Sequence, residues 1–281
     1  MLPHVNPPSE STVGFLHPGA MGSQLAAICS GSRRWVPSGR SAATHDRAQA
    51  AGLVACPSLS HLADSCDMIV SVCPPGEAVA VADAVADTGF DGIYVDANAI
   101  APATARHIAG RFERFVDGGI IGPPPVQAGT TRLYLSGADA PAAGASWDAS
   151  PLEVRFVDGG AGAASAVKAC FAAWTKGTSA LLLAIRALAE REGVTDAIVA
   201  EWSTSMPDLI DRVELTAPAV GPKAWRFVGE MEEIAATFAA EDLPSGFHLA
   251  AAEIYARLNR FKDDEPGPTL TDVIDVLSDP T

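Results

Sequence analysis

Positive charge is scarce in this chain. Its 281 residues carry 19 Lys and Arg against 34 Asp and Glu, a formal net charge of −15. A surface this acidic repels phosphate, which argues against nucleic acid or an anionic membrane as partner. Cysteine is sparse too: Cys29, Cys56, Cys66, Cys73 and Cys170 are odd in number and scattered. They form no C-x-x-C and no Cys/His spacing of a zinc site, so neither a disulfide framework nor a metal centre is expected. Reduced thiols in a cytoplasmic protein are the simpler reading. Long apolar runs are missing: the stretch from Ala180 to Ala189 contains Arg186 and is too short to cross a bilayer. The start, Met1 to Ser11, has no apolar core of a signal peptide. No Ser-His-Asp pattern, paired carboxylates or G-K-[ST] loop appears, which argues against hydrolases and kinases.

What the chain does have begins at residues 12 to 22. A short apolar run, Val13 to Leu16, stops at His17-Pro18-Gly19, and Met21, Leu25, Ala26 and Ile28 follow with helical spacing. That order predicts a strand, a tight turn and a helix. Free backbone N–H groups and the positive end of the helix dipole collect there, so the turn suits a pyrophosphate. Gly19 would let a phosphate approach the backbone, and Gly22 would let the helix pack on the strand. The usual fingerprint is G-x-G-x-x-G; here its first glycine is His17, and an ordinary strand-to-helix turn remains the alternative. The expected cofactor cradle is His17, Pro18, Gly19, Ala20, Met21 and Gly22.

A second strand, Arg33 to Val36, ends at Pro37-Ser38-Gly39-Arg40-Ser41. An NAD-binding unit normally has an Asp or Glu here for the ribose hydroxyls. This chain offers no carboxylate, but a small turn with one arginine and two hydroxyls. Ser38, Gly39, Arg40 and Ser41 therefore point to a 2′-phosphate and to NADP(H) over NAD(H), unless the loop is merely solvated. Helix and strand then alternate: helix 41–52, strand 53–55, helix 61–65, strand 68–73, helix 77–86, strand 92–96. Further strands are expected at 112–116, 132–136 and 154–157. Such alternation predicts an α/β fold with a doubly wound parallel Rossmann sheet over residues 1–160. Ligands of such sheets lie beyond the C-terminal strand ends, which adds Cys73, Pro74, Pro75 and Asn98 to the cofactor residues. The run from Asp117 to Pro125 holds too many glycines and prolines for a regular element. It is expected to be either a rigid wall near a substrate or a stiff crossover.

From residue 161 to 281 the pattern is all helix. Ala163 to Glu192 has no proline and is apolar nearly all round, predicting a helix of about 45 Å. Further helices are expected at 196–206, 208–215, 223–241, 246–261 and 270–277, separated by prolines. A block this small cannot bury so many apolar faces alone, which suggests a homodimer through these helices.

Four motifs in order give the chain a family resemblance. Val13 to Gly22 resembles the opening G-F-I-G-x-G-x-M-G of the β-hydroxyacid dehydrogenases, relatives of 6-phosphogluconate dehydrogenase and of imine reductases. Asp96-Ala-Asn98-Ala-Ile-Ala-Pro102 resembles their D-x-S-T-x-x-P. Phe115-Val-Asp117 with the glycines after it stands in the place of their D-A-P-V-S-G-G. Gly160-Ala-Gly162 followed by Lys168 resembles their G-x-G-x-x-x-x-x-K-x-x-x-N. The Gly-Gly-Ile-Ile-Gly-Pro-Pro-Pro and Ala-Ala-Trp-Thr-Lys-Gly stretches look like a branch with a distinctive C-terminal domain. The departures are His17 for the first glycine, Ile121 for the serine that holds a substrate carboxylate, and Ala172 for the asparagine after the lysine.

The resemblance implies hydride transfer between a nicotinamide and a carbon bearing OH, with Lys168 as the acid/base. Lys168 in the first turns of a buried helix is the residue type and place for a depressed ammonium pKa, or it snorkels or pairs with a carboxylate. The expected substrate wall is Gly119, Ile120 and Ile121. Trp174, Lys176 (on the face of Lys168) and His248 are further substrate candidates, each with a purely structural alternative. The sequence thus predicts an NADP(H)-dependent oxidoreductase acting on a small β-hydroxyacid-like molecule. Its rivals are an imine reductase and a non-catalytic NADP(H)-binding protein.

Overall fold

The computed structural model describes residues 11–279, and the proline-rich start of the chain lies outside them apart from Ser11. The chain divides into two compact units between Lys168 and Ala169, rather than at 160/161. The first unit begins with β1 (Thr12–Phe15), α1 (Ala20–Ala27), β2 (Ser32–Trp35), α2 (Ala42–Ala50), β3 (Val54–Ala55) and α3 (Leu59–Ser65). It continues with β4 (Met68–Ser71), α4 (Ala78–Ala86), β5 (Ile93–Asp96), α5 (Pro102–Ala109), β6 (Phe115–Ile121), β7 (Arg132–Ser136), α6 (Ala140–Gly144) and β8 (Glu153–Phe156). The strands form one sheet in the order β3-β2-β1-β4-β5-β6-β7-β8. Strand order reverses at β1, so the crevice between the ends of β1 and β4 is the switch point where such sheets bind ligands.

Both faces of the sheet are covered, which is why its inner strands read as unbroken apolar runs. Side chains alternate across it with period two. Val13, Phe15, Met68, Val70 and Val95 bury against α1, α2 and α6, where Trp147 donates to the Leu25 carbonyl at 3.0 Å. Ile69 and Tyr94 point the other way, to Leu62 of α3, Ala82 and Val85 of α4 and Ile108 of α5.

Two expectations for this unit need correction. The sheet is not wholly parallel: β6 pairs antiparallel with β7, because the segment joining them contains no crossover helix and doubles back. Nor is Asp117 to Pro125 irregular throughout, since β6 continues through Ile121. Its glycines are tolerated in a strand because neighbours leave no room for a side chain. A Cβ on Gly118 would sit 3.0 Å from the Asp96 carbonyl oxygen, and one on Gly119 would sit 2.6 Å from that of Ala164. Only from Gly122, at φ +124, does the chain leave the strand.

The helix α7 (Ala163–Arg191) opens in the first unit. The second unit continues with α8 (Thr195–Ser205), α9 (Asp208–Val220), α10 (Ala224–Ala240), α11 (Gly246–Arg257) and α12 (Leu270–Ser278). Its own core joins Leu183, Trp202, Val213, Met231, Tyr255, Leu258 and Val273. Here α9 overruns its expected end at Leu215 and holds Pro218 inside. Proline that close to a helix end forfeits a single intrahelical hydrogen bond and leaves the earlier turns intact. The capping box at Thr269 and Asp272 fixes the start of α12. Among the described residues no helix is long and apolar enough to cross a membrane.

Candidate active site

The loop between β1 and α1 is built as a cradle. Gly19 opens α1 as its N-cap without any side-chain hydrogen bond, so the first N–H groups of the helix have no capping side chain. A Cβ on Gly19 would meet nothing within 4 Å, whereas one on Gly22 would lie 2.3 Å from the His17 carbonyl oxygen. Gly22 is therefore demanded by the fold, and Gly19 leaves an open space that the fold does not use. That is the division of labour a pyrophosphate turn requires.

Two guanidinium groups lean on this loop. Arg40 donates to the Leu16 carbonyl at 3.3 Å, at the very end of β1. Arg47 of α2 donates to the Pro18 carbonyl at 3.3 Å and to Thr44 Oγ1 at 3.0 Å. Arg47 was missed from sequence: a basic residue inside a helix carries no mark of the loop it reaches, twenty-nine positions earlier. Gly39 has φ +72 with no atom facing its missing Cβ, and Ser41 caps α2 by accepting from the Thr44 N–H. Its hydroxyl is committed to the helix, so the positive end of α2 and Arg40 are what this turn offers an anion.

His17 stands where the fingerprint has glycine. Its Nδ1 is buried with no hydrogen-bond partner, and burial, then the charge of Arg40, pulls its pKa down to about 4. The ring is neutral at physiological pH. An open glycine, uncapped helix N–H groups, two arginines and an orphaned imidazole nitrogen all fit the phosphates of a dinucleotide.

The next two strand ends are tied together by Asn98. Its Oδ1 accepts from the Cys73 N–H at 2.5 Å, while its Nδ2 donates to Asp96 Oδ2 at 2.9 Å and to Ser71 Oγ at 3.2 Å. Asp96 Oδ1 accepts from the Asn98 backbone N–H at 3.0 Å. Asn98 thus shapes the Cys73-Pro74-Pro75 loop and spends its amide inside the protein. Burial raises the Cys73 thiol to about 11, which makes it inert, and also raises the Tyr94 hydroxyl beside this cluster.

Asp117, at the middle of β6, binds the start of α7. Its carboxylate accepts from the N–H groups of Gly162 and Ser165 at 3.0 and 2.9 Å, and from Ser165 Oγ at 2.6 Å. Ser136 Oγ donates to the same carboxylate at 3.3 Å and accepts from the Ala164 N–H at 3.1 Å. One turn on, Lys168 Nζ donates to the Ile120 carbonyl at 2.9 Å. Gly119 serves this contact: its missing Cβ admits Ala164 and the Lys168 stem. Ile120 and Ile121 are both buried. Lys168 thus packs against β6, which stands three places from β1 in the sheet.

The remaining candidates belong to the second unit. Lys176 forms an ion pair with Glu230, its Nζ lies 4.8 Å from the Phe227 ring centroid, and its carbonyl accepts from Tyr255 Oη at 2.7 Å. Trp174 is 65% exposed. His248 is buried, with its ring 4.3 Å from that of Phe238, and burial lowers its pKa. Within this unit Lys176 is paired with Glu230, while His248 Nδ1 is buried without a hydrogen-bond partner. Among the described residues no group of three or more His, Cys, Asp or Glu is placed to hold a metal.

Residues 189–258 match a family described as a domain of unknown function, DUF1932. The chain is similar to the solved structure of the conserved protein MTH1747, itself of unknown function and described as structurally similar to 3-hydroxyacid dehydrogenases. Identity is 26%, the TM-score 0.68, and the match covers 89% of this chain and 97% of that one. Mycobacterium tuberculosis 3-hydroxyisobutyrate dehydrogenase, solved with L-serine, matches at 19% identity and TM-score 0.68 over 96% of this chain and 100% of its own. A reductive aminase from Aspergillus terreus, in complex with NADPH4, cyclohexanone and allyl amine, matches at 16% and 0.54 over 95% and 99%. At these two identities the likeness is one of fold. No protein of curated function matches the chain by sequence.

The carboxyl of Asp96 generates a pH prediction. Burial pushes it up to about 7, against the pull of its Asn98 hydrogen bonds, and the nearby Asp117 charge adds to the rise. An acid raised in the folded state keeps a proton that the unfolded chain has released. Its contribution to stability is full below the ordinary carboxyl range and is lost as pH rises through about 7. The depressed His17 works in the opposite sense, but only below about pH 6.5. From about pH 6.5 to 7.5 the urea midpoint should therefore fall in the wild type and stay nearly level in Asp96→Asn; parallel slopes would refute the assignment.

Proposed function

We propose that this protein, a member of the NAD(P)-binding β-hydroxyacid dehydrogenase-like superfamily with a DUF1932 C-terminal domain, is an NADP(H)-dependent oxidoreductase. Its substrate class is a small molecule with a hydroxyl or carbonyl carbon. The observation that carries this reading is the β1–α1 turn, open at Gly19 and flanked by Arg40 and Arg47 at the sheet's switch point. Such a turn binds phosphate through backbone N–H groups, and the adjacent arginine and helix end favour a further phosphate over a bare ribose. The solved relatives carrying NADPH or NADP+ support the same cofactor class.

The nicotinamide, when bound, supplies or accepts the hydride. The chain must then manage the proton on the substrate oxygen. Lys168 is the group placed to do so, as an ammonium anchored on the Ile120 carbonyl beside a helix start fixed by Asp117. Asn98 and Asp96 hold the strand ends between the cradle and Lys168. Ile121, apolar and buried where the family has a carboxylate-binding serine, favours a substrate less carboxylate-like than a free 3-hydroxyacid.

A second copy of the chain completes the reading. On α7 the residues Phe171, Trp174, Leu181 and Leu188 are 47–65% exposed, and the last three repeat at the seven-residue spacing of a helix-pairing seam. A homodimer would bury that stripe.

Four variants test this reading. In tryptophan-quenching titrations the wild type should bind NADPH more tightly than NADH. Gly19→Val should weaken both about tenfold or more, or ~1.4 kcal/mol, without lowering the unfolding midpoint. Arg40→Ala should weaken NADPH about tenfold and leave NADH nearly unchanged; equal losses would remove the 2′-phosphate assignment. Lys168→Met should lower kcat about a hundredfold or more with NADPH binding intact, in assays of 3-hydroxyacids beside cyclic imines. Undiminished turnover, or turnover of imines alone, would move the chemistry away from Lys168 and C–OH. Leu181→Glu should shift the sedimentation coefficient from dimer to monomer, and a wild type already monomeric at about ten micromolar would end the dimer proposal.

A further inference from the structure

His17 lies in the β1–α1 loop, two residues before Gly19. His17 occupies the position at which the fingerprint places its first glycine, and its own carbonyl accepts from the Gly19 N–H at 2.8 Å. Its Nδ1 is buried and has no acceptor or donor within reach among the described residues. The charged and titratable groups ranged around this turn are Arg40 from the β2–α2 loop and Arg47 from α2, with Cys73 and Glu77 after β4. The arginines are positive and the thiol is protonated. Glu77 acts on Cys73 rather than on the ring, and the one charge that bears on the imidazole, Arg40, opposes an imidazolium.

We propose that His17 makes dinucleotide binding proton-linked, gaining a proton when an anionic phosphate enters the cradle. The physical cause is a change of sign in the local field. In the free protein, burial and Arg40 keep the ring neutral, with a pKa near 4. A phosphate in the turn would offset the Arg40 charge that opposes an imidazolium. An anion held in the same short loop favours the charged imidazole, and so raises its pKa toward neutrality. By linkage, a group whose pKa is higher in the bound state takes up a proton on binding. Affinity then rises as pH falls through the bound pKa, and levels off below the free one. The proton comes from solvent, and no bond is made or broken in the ligand. A glycine at this position would bring the ligand closer but hold no such charge; the histidine trades close approach for a positive charge present only when an anion is there. The inference rests on the dinucleotide reading of the cradle.

The test is calorimetric titration of NADP+ into the full chain at about pH 6.5, in two buffers of different ionisation heat, for wild type, His17→Gln and His17→Gly. The 2′-phosphate has its own ionisation near pH 6, common to all three proteins, so the difference between them isolates His17. Wild type should take up about half a proton or more beyond either variant. Its NADP+ dissociation constant, relative to theirs, should fall several-fold from about pH 7.5 to 5.5. A ring-resonance titration should find His17 neutral down to about pH 5 in the free protein and charged at about pH 6 in the complex. Equal proton uptake in all three proteins, with NADP+ bound, would overturn the inference and leave the cofactor assignment standing. Failure of all three to bind NADP+ or NAD+ would overturn the cofactor assignment and the inference with it.

Discussion

A buried carboxylate fixes the geometry on which the rest of the site depends. Asp117 sits on a strand between two covered sheet faces, where an uncompensated charge would cost several kcal/mol. It is compensated by the first N–H groups of α7 and by two serine hydroxyls. Each side needs the other: the helix start has orphaned donors, and the carboxylate has lone pairs that water cannot reach. Even so, burial leaves the Asp117 carboxyl titrating above its ordinary range. The arrangement is possible only because Gly118 and Gly119 have no side chains, so that backbone meets backbone at van der Waals range. Lys168 takes its place against Ile120 as a result, one turn from the anchored end.

The same economy of charge runs along the sheet edge. At β1 the cations are arginines held by backbone carbonyls, and the one titratable ring is kept neutral beside them. At β4 and β5 the ionisable group is Asp96, buried and raised toward neutrality, with Asn98 as its hydrogen-bond donor. Cys73 is protonated. Two arginines therefore stand against the β1–α1 turn, in a chain whose overall charge is strongly negative.

The legible features were those encoded within a few residues. The β1 turn and α1 follow from adjacent apolar runs and glycines, and every strand of the sheet lies within a few residues of its expected place. Arg40 lies in the loop after β2 that the sequence singled out, although its carbonyl partner, Leu16, is 24 positions away. Arg47, Ser136 and Ser165 were not legible, because no such loop marks them and their partners lie 29, 19 to 28 and 48 positions away. The reach of β6 through Gly118 and Gly119 was misread for the same reason. Glycines forbid a strand on propensity alone, and only the Ala164 carbonyl and the Ala97 side chain explain why they are required there. Lys176 shows the converse: helical spacing put it on the face of Lys168, but Glu230, from a helix fifty-four residues on, takes its charge.

By itself the sequence determined the alternation of helix and strand, the place of the phosphate-type turn, the lack of a ribose-binding carboxylate and the all-helical C-terminal half. These depend on local spacing, turn chemistry and periodicity, which are properties of short stretches. Tertiary structure decided which way β7 runs, which glycines are structural and which leave space, and which side chains are already paired. It also decided the ionisation of His17, Asp96 and Cys73. Those outcomes depend on burial and on the field of groups distant in the chain, and neither quantity exists until the chain has folded.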